Sequence, residues 1–581
     1  MKVKIGIRPV IDGRWGGIRE SLEQKTMAMA KASAALIIDN CFYRDGTSAE
    51  VIVADTTIGG SREASLVDEY FRTQNVCATL SVTPCWCYGS ETMDIDPIRL
   101  KAVWGFNGTE RPGAVYLAAV MAAHNSIGLP AFAIYGQDVQ DIKDDGMTDD
   151  VKAKIIQFAQ CSLVIGQMRD KSYVNIGSTS MGIIGSICDP EFYMKYLGIR
   201  PEWVDMTEII RRINNDIYDK KEYDKAINWV KVNCVEGDDY NSADKKLSAA
   251  NKAEQWTTII KMTLILKDII EGNPNLAKIG YNEEALGRNG IMGGFQGQRM
   301  WTDFMPNADF SEAILNSSFD WNGKRKPTIL ATENDGLNGV SMLLMHLLTG
   351  QASIFADVRT YWSKEAVERV SGKSPKGLSE NGFIHLINSG AAALDGTGLA
   401  DNKMKKWWEM TQSDIDKCLN ETRFAPANLS YFRGGGFSTQ FETKSEMPVT
   451  LCRINLIMGK PIMQIAEGYT VVLDKDTDKI LLNRTDPTWP STWFVPILTG
   501  KGAFTNVYNV MSNWGANHGA FTYGHIGKEL ITLASMLRIP VSMHNVDSNN
   551  VFRPHIFSSF GTNDIESADF RVCEKLGALY K

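Results

Sequence analysis

Two carboxylates and one imidazole carry the strongest chemical signal in this sequence. Glu333 closes a short apolar run at 328–332, and Asp357 closes another at 352–356. His518 sits in the stretch 514–525, where polar groups bunch together and glycines let the backbone approach a bound molecule closely. Two unpaired carboxylates a few ångströms apart repel, so an acid pair brought together needs a cation, a shared proton or a basic residue between them. A hard or borderline divalent ion takes carboxylate, water and substrate oxygens, and sometimes one imidazole. Each residue alone has a plainer reading. Either acid can be a solvated loop or helix-start residue, and a lone histidine is more often structural. His525 shares the glycine-rich context of His518, whereas His346 and His124 belong to apolar helical runs and read as packed.

What would bring the acids together is the order of elements between them. Residues 328–332 are β-prone and follow Pro327, while 340–348 are long and rich in helix formers. The turn at 334–336, with Asn338 available as a cap, starts that helix, and Thr349-Gly350 stops it. A second strand at 352–356 then leads to Asp357. The segment 334–351 is long enough for the crossover that two parallel strands require, so 327–358 reads as a βαβ unit. Both acids would then emerge at the carboxyl edge, where open α/β sheets place their ligands.

The 581-residue chain is too long for one core. It is 44% hydrophobic and 22% charged, and its net charge of −7 argues against nucleic-acid or anionic-membrane partners. No apolar run reaches membrane-spanning length, the first residues read as a strand rather than a signal peptide, and a cytoplasmic protein is expected. The ten cysteines are scattered, and Cys85-Trp86-Cys87 has neither redox nor zinc spacing. Apolar runs alternate with helical segments at 4–10, 20–39, 50–54, 64–74, 78–82 and 131–135, which is doubly wound α/β grammar. The pattern restarts between 160 and 180, with a strand at 172–177. Beyond 360 it turns β-rich and antiparallel: 449–457 is a strand, and 469–473 with 479–482 reads as a hairpin whose tip is the acid-rich 474–478. Gly177 to Gly182 lacks the lysine of a phosphate-binding loop, so nucleotide binding is not supported. Trp86, Trp489 and Trp493 lie in Pro/Thr/Ser-rich surroundings that suit either sugar stacking or ordinary packing.

Longer stretches carry a resemblance. Residues 4–14, Ala331-Thr332-Glu333-Asn334-Asp335, Phe355-Ala356-Asp357-Val358-Arg359, Pro490-Ser491-Thr492-Trp493 and Asn517-His518-Gly519 resemble the L-fucose isomerase family, whose members also act on D-arabinose, and the likeness runs the full length. It implies an α/β protein with two doubly wound α/β domains, 1–168 and 169–352, followed by a β-rich, barrel-like domain, 353–581. It further implies a homohexamer and Mn²⁺ held by Glu333, Asp357 and His518, with Glu333 as the catalytic base and Asp357 as its partner acid. Sugar contacts would match Gln296, Ser389, Tyr431 and Asn517, and also Trp86, Met181, Arg14 and Trp493. The implied reaction converts L-fucose to L-fuculose, or D-arabinose to D-ribulose, through a cis-enediol. An ion on O1 and O2 would stabilise the enediolate while a carboxylate takes the carbon proton. Three alternatives differ in class. A metal-independent glycosidase would use two carboxylates but leave His518 idle. A sugar-binding protein would not need the acid pair. An L-arabinose-type isomerase uses two Glu and two His, which suits Asp357 poorly.

Overall fold

Strands buried on both faces need helices above and below them. In the computed structural model, which describes residues 2–580 except 142–143, 145, 388–390, 401–403, 486–487 and 562–564, the first sheet meets that need. Its five parallel strands run in the order Val51–Val53, Lys4–Pro9, Val76–Thr83, Leu100–Gly105 and Phe132–Ile134. Helices Ile18–Asn40 and Asp149–Met168 bury Met29, Ala34, Ile37, Ile155 and Phe158 with Ile5, Ile7 and Leu80 in one core. Helices Ser61–Thr73 and Gly113–Ser126 bury Val67, Phe71, Tyr116 and Leu117 with Val103 in a second. Periodicity does not announce the strand Leu100–Gly105, because Lys101 interrupts its apolar run. Inside the fold that lysine is buried and donates to the carbonyls of Asp96 and Arg99.

A second parallel sheet follows, in the order Ile329–Ala331, Gly290–Phe295, Ser172–Ile176 and Arg200–Val204. The third part is a barrel of six antiparallel strands. Pro448–Ile457, His518–Tyr523, Ile354–Trp362, Phe383–Ile387, Ser491–Pro496 and Lys460–Val471 pair in turn, and the last closes on the first. Val541–Met543 adds to Lys460–Val471 in parallel. Among the described residues, no helix is long and apolar enough to cross a membrane.

Residues 327–358 do not form a βαβ unit. Ile329–Ala331 belongs to the second sheet, but Ile354–Trp362 lies in the barrel, so the helix Gly336–Thr349 bridges two sheets instead of crossing over within one. The physical reason is that helix's burial on nearly every side. One face covers the second sheet. The other needs its own cover, and barrel strands supply it: Ile454 N donates to Ser341 Oγ at 3.1 Å and Asn338 Nδ2 donates to Gly519 O at 3.1 Å. Asn338 therefore does not cap the helix. Asp335 does, accepting from Asn338 N at 3.0 Å, and Gly350 ends the helix in the left-handed conformation.

The hairpin expected at 469–482 is also absent. Lys475–Leu482 is a helix, because Asp474 caps it by accepting from Thr477 N at 3.2 Å, and Asp476 and Asp478 occupy its first turn, where carboxylates are favoured. The hairpin lies earlier, between Pro448–Ile457 and Lys460–Val471. Its two-residue loop, Met458-Gly459, has φ of 52° and 78°, the positive pair that matches strand twist.

Candidate active site

The site is assembled where the second sheet hands the chain to the barrel. Directly after Ile329–Ala331 the backbone turns through Glu333 and Asn334, both left-handed at φ of 58° and 53°. Side chains with a Cβ rarely adopt this region, and strain of this kind gathers at functional sites. The turn is held from below. Tyr173 Oη donates to Asn334 Oδ1 at 2.5 Å, and Asn334 Nδ2 donates to Ser178 O at 3.2 Å. Tyr173 is itself stacked on Tyr193, with ring centroids 4.9 Å apart. Gly294 makes this approach possible, since a Cβ there would collide with Asn334 Oδ1 and the Tyr173 hydroxyl.

Asp357 and His518 meet differently. They are directly opposite partners on the neighbouring antiparallel strands Ile354–Trp362 and His518–Tyr523. Their side chains therefore share one face. His518 Nε2 lies 3.2 Å from Asp357 Oδ1 and 3.5 Å from Glu333 Oε2, while its Nδ1 donates to Asp335 Oδ2 at 2.6 Å. The same Asp335 oxygen accepts from Arg453 Nη1 at 2.6 Å, and Arg453 is fully buried, anchored to Asn455 Oδ1 and Gly185 O. Asp335 thus caps a helix, pairs with a buried guanidinium and fixes the ring of His518 with Nε2 toward the two acids. That arrangement is the carboxylate–histidine support common behind metal-ligating imidazoles.

Electrostatics give the residues unequal roles. Burial drives the Glu333 carboxyl up; the His518 charge opposes this, Asp357 and Asp335 reinforce it, and the result is about 7. For Asp335 burial acts in the same direction, but Arg453 and His518 overcome it and bring the group down to about 2. Burial would depress His518, yet its hydrogen bonds to Asp335 and Asp357 outweigh that and lift it to about 10. As the chain stands, His518 supplies the positive charge between the acids.

Whether the residues suit a divalent cation can be judged on the donors. Among the described residues no three His, Cys, Asp or Glu side chains stand as a ready-made shell around one point. Two carboxylates nevertheless lie within 3.5 Å of one imidazole nitrogen, and Glu333 Oε2 is buried without a hydrogen-bond partner. The ion pair that draws the side chains together is what a cation would replace. The donors fit a hard or borderline ion.

The other expected contacts divide. Gln296 follows Gly290–Phe295, is buried, and accepts from Ser178 N at 2.9 Å through Oε1, which places it beside the Glu333 turn. Met181, exposed and left-handed at φ 46°, lies in the same 177–182 loop. Asn517 Nδ2 is 3.0 Å from His518 Nε2. Tyr431 is exposed in the loop that also holds Phe432, whose ring is 6.3 Å from Trp489. Ser389 falls outside the described residues. Arg14 and Trp86 are exposed on the first domain, where Arg14 grips Asp12 at 2.6 Å, and among the described residues no contact joins them to the Glu333 cluster. Trp493 is not a loop aromatic. It is 3% exposed in Ser491–Pro496, donates to Asp478 Oδ1 at 2.7 Å and packs with Phe383 and Leu481, so no ring face is offered to a sugar. Trp489 is half-buried, and its ring lies 5.4 Å from the Arg359 guanidinium, a charge that acts on Glu333. His525 is not a rival of His518, because its Nε2 is taken by Gly468 O at 2.9 Å and its ring packs on Tyr469. His346 is buried, with Nδ1 2.7 Å from Gln351 O.

Asp335, Arg453 and Arg359 join the candidate site without a motif to announce them. Asp335 could have been found from its place two residues after Glu333; buried Arg453, in an apolar strand, carries the only other signal.

Comparison with known proteins covers nearly the whole chain. Residues 2–170 match the model of the first N-terminal domain of L-fucose isomerase, 171–350 that of the second, and 386–544 that of the C-terminal domain. The chain is similar to an L-fucose isomerase of Streptococcus pneumoniae strain P1031, 58% identical over 583 residues, covering 100% of this chain and 99% of the relative. It is likewise 58% identical over 586 residues to an L-fucose isomerase of Bacteroides fragilis strain YCH46, with the same coverage.

Proposed function

This chain belongs to the L-fucose isomerase family and is an aldose–ketose isomerase, and from that premise we propose that it converts L-fucose to L-fuculose, and D-arabinose to D-ribulose, through a cis-enediol at the Glu333/Asp357/His518 cluster. The observation that carries the reading is one buried carboxyl, Glu333, facing a second acid across an oriented imidazole.

An aldose becomes a ketose when a proton leaves C2 and one arrives at C1. A carboxylate placed beside C2 can take the carbon proton, and Glu333, the more buried of the two acids, is assigned that role. Glu333 takes the C2 proton and returns it to C1, while Asp357, more open to solvent on the barrel strand, relays the proton between O1 and O2. Asp335 and Arg453 keep the imidazole from rotating away. A divalent ion such as Mn²⁺, held by Glu333, Asp357 and His518, would supply Lewis-acid stabilisation of negative charge on the two sugar oxygens. Gln296 and Asn517, which lie beside the cluster, would orient sugar hydroxyls, with Tyr431 and Trp489 as further candidate sugar contacts. Arg14 and Trp86 lie away from the cluster, which supports a site completed by a neighbouring copy in a homohexamer.

The test is isotopic. With Mn²⁺ added, turnover of L-fucose in deuterated water should place deuterium on the sugar carbon. Dialysis against a chelator should stop turnover, and Glu333→Gln should abolish exchange while retaining an oxygen donor. Turnover without solvent deuterium would remove the enediol route, and full activity after chelation would remove the metal.

A further inference from the structure

A large cleft lies at the sheet edge opposite to Glu333. It measures about 1110 Å³ and runs between the amino ends of the first-sheet strands Lys4–Pro9, Val76–Thr83 and Leu100–Gly105 and those of the second-sheet strands Ser172–Ile176 and Gly290–Phe295. Lys326 stands at its wall three residues before Ile329–Ala331, whereas Glu333 follows that strand, so the two sites face opposite edges of one sheet.

The lining is cationic in a chain of net charge −7: seven lysines and arginines face four carboxylates. Three of those carboxylates are already engaged, Asp45 by Lys2 at 2.8 Å, Asp96 by Arg99 at 3.3 Å and Asp170 by Arg200 at 3.3 Å. Four of the cations have no carboxylate within ion-pair distance among the described residues; Arg72 is exposed, and the other three are Arg44, Lys171 and Lys326. Arg44 donates only to a carbonyl, that of Pro327 at 2.7 Å, and its Nε is buried without a partner. Lys171 donates to the Asn289 amide at 3.0 Å. Lys326 makes no hydrogen bond or ion pair to a described residue. Glu271, the nearest acid, is occupied by the Thr328 hydroxyl at 2.8 Å. Burial, with Arg44, Arg325 and Lys171 nearby, lowers Lys326 to about 8 despite Glu271. Partly buried charges left unpaired are costly, and fixed cations of this kind are where anions are recognised.

We propose that this cleft binds a phosphate-bearing small molecule, with the phosphate seated among Arg44, Lys171 and Lys326. Three cations around one carboxylate leave an excess of two positive charges, which a phosphate dianion matches and a monoanion does not. The cavity is far larger than phosphate alone requires, and its volume suits a phosphate ester of a small polyol or sugar. Its position on the opposite sheet edge leaves the isomerase site free while it is filled.

Calorimetry on the full chain at constant ionic strength tests the proposal, with inorganic phosphate and a hexose 6-phosphate as probes and chloride as the control. Saturable binding of both probes is expected, weakened at least tenfold in Lys326→Met and in Lys171→Gln, with isomerase activity and thermal midpoint unchanged in the unliganded variants. Tighter binding of the ester identifies a phosphorylated metabolite as the occupant, and equal binding identifies free phosphate; either supports the site. Absence of saturable binding to wild type, as when another copy covers the cleft, overturns it. So does binding that neither substitution weakens.

Discussion

Glu333 combines three unfavourable features that point to function over stability: a left-handed backbone, a buried carboxyl and an oxygen without a hydrogen-bond partner. Its carboxyl is raised from 4.5 to about 7, so the folded state holds a proton that the unfolded state has released between those values. A raised acid makes stability fall as pH rises through that window. In the metal-free protein, Glu333→Gln should therefore be stabilising at pH 8, by up to about 3 kcal/mol, and near neutral at pH 4. Denaturant unfolding at the two pH values measures the difference, and a variant equally or less stable at pH 8 would contradict it. His518 behaves oppositely. Its rise from 6.5 to about 10 contributes stability that is complete below pH 6.5 and lost as pH climbs through 10.

The segment 329–349 shows how an element places a side chain. Ile329–Ala331 delivers Glu333, the two left-handed residues break the strand, and Asp335 then starts the helix that packs on the barrel. Gly294 on the neighbouring strand is the pivot, because only a residue without a Cβ leaves room for Asn334 and the Tyr173 hydroxyl. Gly294→Ala should displace the Glu333 turn. We expect at least a hundredfold loss in kcat with KM changed much less, and a stability loss of about 1–3 kcal/mol from overpacking. A kcat near wild type would show that the turn tolerates the displacement. Gly350, at the other end of the helix, needs its positive φ and closely meets Trp408, so it belongs to the same set of obligatory glycines.

Across the whole molecule, the cluster draws on two bodies, with Glu333 and Asp335 from the end of the second sheet and Asp357, Arg453 and His518 from the barrel. Arg14 and Trp86 stand apart on the first. If a neighbouring copy brings them to the cluster, inactive Trp86→Ala and inactive Glu333→Gln chains mixed under subunit exchange should regain part of the wild-type rate, since hybrid assemblies would contain some intact sites. Assay against light scattering decides it. No recovery despite confirmed mixing would mean that each chain completes its own site.

Hydrophobic period and turn chemistry made most strands and helices legible, together with the change from α/β to antiparallel β and the two acids at the ends of apolar runs, while the barrel was implied by the family resemblance. Those signals report how deeply a residue is buried and how often, and they do not report against what. Hence the strand Ile354–Trp362 reads as a parallel neighbour of Ile329–Ala331 until the fold places it in the barrel. Trp493 reads as a loop aromatic until it is found in a packed strand. The opposition of Asp357 and His518, and the hold of Asp335 on the imidazole, come from pairings 161 and 183 residues apart in the chain. Contacts at that separation leave no local periodicity, because they are selected by which buried faces can cover one another once the chain has closed on itself.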